Sequence, residues 1–514
     1  MTSSFDDGGG PHGYFAERVR SAPALELLAA TREAVSFGYR CGDPQAVNPH
    51  LAGALRESGF QAARSSDVEG RHAIRVESAD CARQTEADAL LAAAITLGAV
   101  AANGRPVPPA VTACLCSDGL PMYVGFAGLW RLELGGMEIA RLGPMLDARV
   151  ARNPADAAAM MDIATLLFLT LLPSNRAIAF ATQARALELQ QIFRLPAWRD
   201  DKPLRVLVLA SPGDMTANTH LDCLVEDSAV ELLMLYVREG RPLPSPLPDH
   251  DAVFVAIGEA AANRPLLEQI SPFVAASPKP VLNRPERILL LSRDRVAALL
   301  QSLPGVAMPA TERIRRETLD QIAIGAADLP AGRSFPILVR PLDSQGGKGL
   351  SKLDDNTALA GYLETAEETE FFVSSFVDYS GADGLFRKYR VVVIRGRAIA
   401  CHMAISSNWM IHYINADMDA SAEKRAEEAG FMADFETGFG ARHAEALAGI
   451  DRQLGLDYYG IDCGETRDGR LLVFEADTAM LVHAMDPEDI YPYKRPQMLK
   501  LFSAFQKMLE AVAR

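Results

Sequence analysis

The chain is poor in the features that would place it in a membrane or outside the cell. Its most apolar early run, Leu90–Ala102, is Ala-rich and too short to span a bilayer, so it reads as a helix in water. Cysteine is sparse. The 7 residues are an odd number spread thinly, which argues against a disulfide framework and fits a reducing compartment. Cys114 and Cys116 are the only close pair, and they lack the further ligands a metal site needs. Basic charge is also short: 51 Lys and Arg stand against 66 Asp and Glu, for a net charge of -15. That balance predicts no nucleic-acid or anionic-membrane partner while leaving room for a local basic cleft. The opening MTSSFDDGGGPHG has no apolar core and is not expected to act as a secretory signal. A cytoplasmic location is the expectation.

What the chain does have is length and ordinary globular composition. Its 514 residues, 49% hydrophobic and 23% charged, suggest three or four domains. Residues 1–150 form an expected mixed α/β domain of no recognisable chemistry, with 1–13 disordered. Within it, Ala22–Phe37 and Glu86–Ala102 read as helices, and Trp130–Leu134 with Met137–Leu142 reads as a hairpin around Gly135-Gly136. Residues 151–198 follow as a helical hairpin, Ala155–Leu172 and Asn175–Phe193, joined at Pro173-Ser174. Its small residues resemble a single tetratricopeptide-type repeat, which cannot bury its own face. An interdomain spacer and a surface for a protein partner are both open. Residues 199–305 carry apolar runs Arg205–Ala210, Val230–Val237, Ala252–Ile257 and Pro280–Asn283 between helical segments such as Arg293–Leu303, which predicts a small open α/β sheet.

The chemistry gathers in residues 306–514. Gly460–Asp477 reads as a hairpin turning at Asp468-Gly469, which sets Asp462 opposite Glu475 and puts Asp477 on the same face. Phe474, Leu472, Ala476, Ile461 and Cys463 take the other face. Opposed carboxylates destabilise a sheet unless compensated, and a divalent cation is one compensation. A solvated acidic face is the other reading of the same spacing. Upstream, Ile337–Val339 leads into Arg340 and then Ser344-Gln345-Gly346-Gly347-Lys348-Gly349, a flexible loop whose N–H groups suit phosphate oxygens. It is not a Walker A loop, because the glycine-to-lysine spacing differs and no Ser or Thr follows Lys348. Lys388–Ile394 pairs with Arg397–Met403 through Arg395-Gly396 and lines up Lys388 and Arg390 on one face. Two cations in a row suit an anion or a structural salt bridge.

Taken in order, PILVRPLDSQGGKGL, FFVSSFVD, FRKYRVVVIRGRAIACHMAI and YYGIDCGETRDGRLLVFEAD resemble the ATP-grasp superfamily, in its glutathione-synthetase and ribosomal-protein glutamate-ligase branch. The likeness runs over about residues 204–514, including the approach segment PVLNRPERILLLSRDRVAALLQSLPGVAMPAT. It implies a multidomain α/β and α+β architecture, in which a pre-ATP-grasp domain precedes two α+β subdomains clasping ATP. It further implies that Arg340 and Lys348, with Ser344, Gly346 and Gly347, hold phosphates. The main chain around Phe372, Val373, Phe376 and Val377 would hold adenine. Lys388 and Arg390 would face the phosphoryl group, with Arg390 and Lys348 catalytic. Asp462, Glu475 and Asp477, with Asn415 as a weaker match, would hold Mg2+ or, alternatively, Mn2+.

The implied reaction is ATP-dependent ligation of a small-molecule or peptide carboxylate to an amine through an acyl-phosphate, by a chain that can form homo-oligomers. A non-catalytic nucleotide-binding scaffold and a small-molecule kinase are the alternatives. The sequence departs from the family pattern at several points. Arg340 stands where lysine is usual, Ser374-Ser375 where an acidic hinge residue is common, and Asp477 where asparagine is usual. No arginine lies around Ala404–Ser406, and TAMLVHAMD replaces a proline- and glycine-containing loop. His402 and His483 are the polar groups available there.

Overall fold

The computed structural model describes the backbone of four strands between residues 26 and 78, then residues 123–134, and 143–513 apart from 144–145, 148, 152, 196, 198–202, 227, 331, 343 and 345. The architecture is mixed α/β. The chain divides into two compact units, residues 1–215 with 220–253 and 513–514, and residues 216–219 with 254–512.

In the first unit, β1 (Glu26–Ala30), β2 (Ala34–Tyr39), β3 (Phe60–Val68) and β4 (Arg71–Ser78) form an antiparallel sheet in the order β1-β2-β4-β3. Glu26–Ala30 and Ala34–Phe37 are therefore strand, where apolar spacing over Ala22–Phe37 suggested a helix. Trp130–Leu134 is corrected in the opposite sense: it ends a helix, α1 (Gly125–Leu134), and is not a hairpin strand. Val124 and Gly125 donate main-chain N–H groups to the Asp162 carboxylate at 2.9 and 3.0 Å, satisfying donors that the helix start leaves unpaired. Met137–Leu142 and Glu86–Ala102 lie outside the described residues.

The helical hairpin is α2 (Ala157–Leu169), capped by Asp156, and α3 (Pro173–Leu189), which opens with proline at its first turn. The second helix stops earlier than its apolar pattern suggested. Ile192–Leu195 is strand β5, paired antiparallel to β7 (Val230–Tyr236), which in turn pairs parallel to β6 (Leu204–Ala210). Phe193 is fully buried, which gives this segment a stronger tertiary reason to extend than helix periodicity gives it to coil. Strand β8 (Ala252–Val255) carries the chain from the first unit into the second.

The second unit contains β9 (Val281–Leu282), helix α4 (Arg293–Leu300) and two further sheets. The first of these sheets joins β11 (Thr311–Arg315), β12 (Ile337–Pro341), β13 (Ser351–Leu353) and β14 (Glu370–Ser375) in the order β11-β14-β12-β13. Its apolar face packs Ile337, Val339, Phe371 and Val373 with helix residues Leu319, Ile322, Leu359 and Leu363. The other sheet joins β10 (Val306–Ala307), β15 (Phe386–Ile394), β16 (Arg397–Ser406), β17 (Tyr458–Glu465) and β18 (Leu471–Asp477) in the order β10-β18-β17-β15-β16. The β15–β16 turn places Arg395 and Gly396 at φ 47 and 78, the left-handed pair that a two-residue hairpin loop requires. Among the described residues, no helix is long and apolar enough to cross a membrane.

Candidate functional site

The β17–β18 hairpin pairs Asp462 with Glu475 and Gly460 with Asp477, as the alternation of the sequence predicts. The route to that pairing is different. The turn spans three residues between Thr466 and Arg470, with Gly469 at φ 82, and a bulge near Asp462 and Cys463 restores the register. Leu472 is buried in a cluster with Ala307 and Tyr379, Phe474 packs against that cluster, and both also line a cleft together with Glu475.

That cleft lies between the two sheets of the second unit. One part of its wall is apolar, with Met308, Leu338, Phe372, Phe376, Leu472 and Phe474. Trp409 meets Phe376 edge-on at 5.7 Å between ring centres, and Lys352 lies 4.8 Å over the Phe376 ring. The other part carries Arg293, Arg340, Lys388, Asp462 and Glu475.

The polar part is ordered by register. β15, β17 and β18 are neighbours, and Arg390, Asp462 and Glu475 stand in one row across them. Arg390 grips Asp462 in bidentate fashion, Nε to Oδ1 at 2.7 Å and Nη2 to Oδ2 at 3.0 Å. It also donates to the Leu481 carbonyl at 3.1 Å. Lys388 Nζ reaches Asp462 Oδ2 at 2.7 Å. Burial alone would push the Asp462 carboxyl up, but Arg390 and Lys388 outweigh it and hold the group well below the usual range. Glu475 is paired with Arg293, the first residue of α4, which keeps its carboxyl lowered against the opposite pull of burial. Arg340 donates Nε to Ser344 Oγ at 3.0 Å and bonds the Ser344 carbonyl, and burial with Arg293 nearby brings its pKa down to about 10.

The glycine loop borders the same cleft. Gly346 and Gly347 line it at φ +60 and +75, and a Cβ on Gly347 would stand 2.6 Å from His412 Nε2. Glycine is thus required at 347 both by backbone conformation and by the close approach of His412.

Several expected residues take other roles. Lys348 is exposed on the loop and does not line the cleft. Phe372 and Val373 do not present main-chain groups, because β14 is central and pairs with β11 through Ser374 and with β12 through Ser375. Phe372 instead contributes its ring, and Val373 faces the core. Phe376 donates its N–H to Pro336 O at 3.0 Å, which leaves Val377 as the part of the hinge beyond both ladders. Asp477 accepts from the Ala479 N–H at 3.0 Å, and burial raises its carboxyl to about 6. Asn415 Oδ1 accepts from the His412 N–H at 2.9 Å. His402 is held neutral by burial and by Arg390, and His483 Nδ1 accepts from the Met485 N–H at 3.1 Å.

The residues expected to hold a metal are each engaged by other groups of the chain. Both oxygens of Asp462 are occupied by cations, Glu475 is occupied by Arg293, and Asp477 and Asn415 serve main-chain groups. Among the described residues, no group of three or more His, Cys, Asp or Glu could hold a metal ion. With two cations on Asp462 and one on Glu475, this donor set does not fit a divalent cation, which those ammonium and guanidinium groups would repel.

Arg293, Trp409 and His412 belong to the cleft but were not singled out from the sequence. Arg293 was visible only as part of a helical segment, and its partner Glu475 is 182 residues away.

No family model and no curated protein matches the chain. Solved structures do resemble it in chain course. One is the VanG D-Ala:D-Ser ligase from Enterococcus faecalis, at 14% identity and a TM-score of 0.39, covering 61% of this chain and 100% of that one. A second is a RimK domain protein ATP-grasp from Sphaerobacter thermophilus, at 20% and 0.35, covering 59% and 98%. A third is the D-alanyl-alanine synthetase A from Vibrio cholerae, at 11% and 0.38, covering 61% and 99%.

Proposed function

We propose that the cleft binds ATP and that the chain uses it to activate a carboxylate for attack by an amine. The observation that carries this reading is the division of one cleft into an aromatic and aliphatic part and a cationic part, in a chain whose net charge is -15. A flat heterocycle suits the first part and a polyphosphate the second. Adenine would lie against Phe372, Phe376 and Phe474, with Val377 main chain at its edge. The phosphates would run toward Arg340, Lys388 and the glycine loop. Arginine suits such a site because its planar fork meets phosphate oxygens two at a time.

In the proposed reaction a carboxylate oxygen attacks the γ-phosphorus and ADP leaves. The amine then adds to the acyl carbon, loses a proton, and expels inorganic phosphate. Charge develops on the transferring oxygens, and Lys388, Arg340 and Arg293 are the groups placed to offset it.

A second reading has a specific observation in its favour. Because Asp462 and Glu475 are already neutralised by the chain's own cations, the cleft also suits a protein that binds nucleotide without turnover. Incubating the full chain with ATP and panels of amino acids and small peptides separates the two. Ligation predicts ADP release that requires both an acid and an amine and yields an amide. Saturable ATP binding with no such release supports the binding protein, and a phosphorylated product without an amide points to a kinase.

A further inference from the structure

The acids of the β17–β18 hairpin are compensated by protein cations where a metal ion was expected. Asp462 sits in the middle of a charged row, with Arg390 directly across on β15 and Glu475 directly across on β18. Two opposed carboxylates would repel. Arg390 and Lys388 occupy both oxygens of Asp462 at 2.7, 3.0 and 2.7 Å, and Arg293 reaches over from α4 to Glu475. Asp477 does not line the cleft, and its Oδ1 accepts from the Ala479 amide. Arg340 then contributes a further cation in the same wall. Among the residues lining this end, Arg293, Arg340 and Lys388 outnumber Asp462 and Glu475, and the end of the cleft is net positive. A divalent cation seated on these carboxylates would have to displace or abut ammonium and guanidinium groups already in contact with them. An anion would complete the charge balance directly.

We infer that this end of the cleft takes the polyphosphate of a nucleotide on Arg293, Arg340 and Lys388 without a bridging divalent cation. The inference rests on the nucleotide reading above and adds that binding is independent of the metal. Arg293 is then a binding residue with two duties: it holds Glu475 in place and presents its remaining N–H groups to phosphate.

Isothermal titration of the full chain with ADP, in excess EDTA and again in excess Mg2+, tests this. The expected result is a dissociation constant that agrees within about threefold between the two conditions. Binding in EDTA that is weaker by about tenfold or more, and restored by Mg2+, would overturn the inference while leaving the nucleotide reading intact. Failure to bind ADP in either condition would overturn both. Arg293→Gln gives an independent check, with thermal unfolding used to confirm that the variant folds. It is expected to lose about tenfold in ADP affinity in EDTA and to gain a Mg2+ dependence as Glu475 is released. An unchanged affinity in EDTA would remove Arg293 from the phosphate site and contradict the inference.

Discussion

Asp462 is fully buried, and both of its oxygens are held by cations. Removing one side of such a cluster leaves the other side charged and without a partner. Asp462→Ala should therefore cost about 3–5 kcal/mol in unfolding free energy, read from denaturant titration. Asp462→Asn should be milder, because an amide oxygen still accepts from Arg390. Asp477 carries the opposite sign. Its carboxyl is raised from 3.8 to about 6, mainly by burial. The folded state therefore favours the protonated form. Its stabilising contribution is full below 3.8 and is lost as pH rises through about 6. Stability measured across that window should fall more steeply in the wild-type chain than in Asp477→Asn. Equal slopes would contradict the assigned shift.

At the scale of elements, the glycine loop and the acidic hairpin show what local pattern reveals and where it stops. Gly347→Ala places a left-handed backbone and a crowded Cβ on the loop, so we expect a loss of about 1–2 kcal/mol and weaker nucleotide binding as His412 is displaced. Thermal unfolding and ADP titration measure the two effects separately. The pairing of Asp462 with Glu475 was legible from strand alternation, and so were β12, β14, β15 and β16 as extended segments, because buried strands leave a dense apolar trace. The three-residue turn and its bulge were not legible. Two offsets cancelled in register, and Phe474 both packs against the buried Tyr379 cluster and lines the cleft. The central position of β14 was equally hidden, since which strands flank it depends on chain segments far away in sequence. That is why Phe372 supplies a ring where a main-chain contact was expected. Around Trp130–Leu134 the two glycines suggested a hairpin, but the helix start is stabilised by Asp162, which local spacing does not show.

Over the whole molecule the notable contrast is between a net charge of -15 and a cleft wall carrying Arg293, Arg340 and Lys388. A local positive potential on an acidic protein attracts small anions selectively and is screened by salt. Nucleotide affinity should accordingly fall as NaCl is raised from low to physiological ionic strength, while the isolated nucleoside adenosine shows little salt dependence. Trp409 lines the apolar part of the cleft and offers a direct signal from the site. The measurement that tests nucleotide binding in the cleft most directly is an ATP titration of the full chain followed by tryptophan fluorescence. The expected result is a saturable change that ADP reverses, that disappears in Trp409→Phe, and that shifts to at least about tenfold higher ATP concentration in Lys388→Ala. No saturable change, or one that Lys388→Ala leaves untouched, would contradict it.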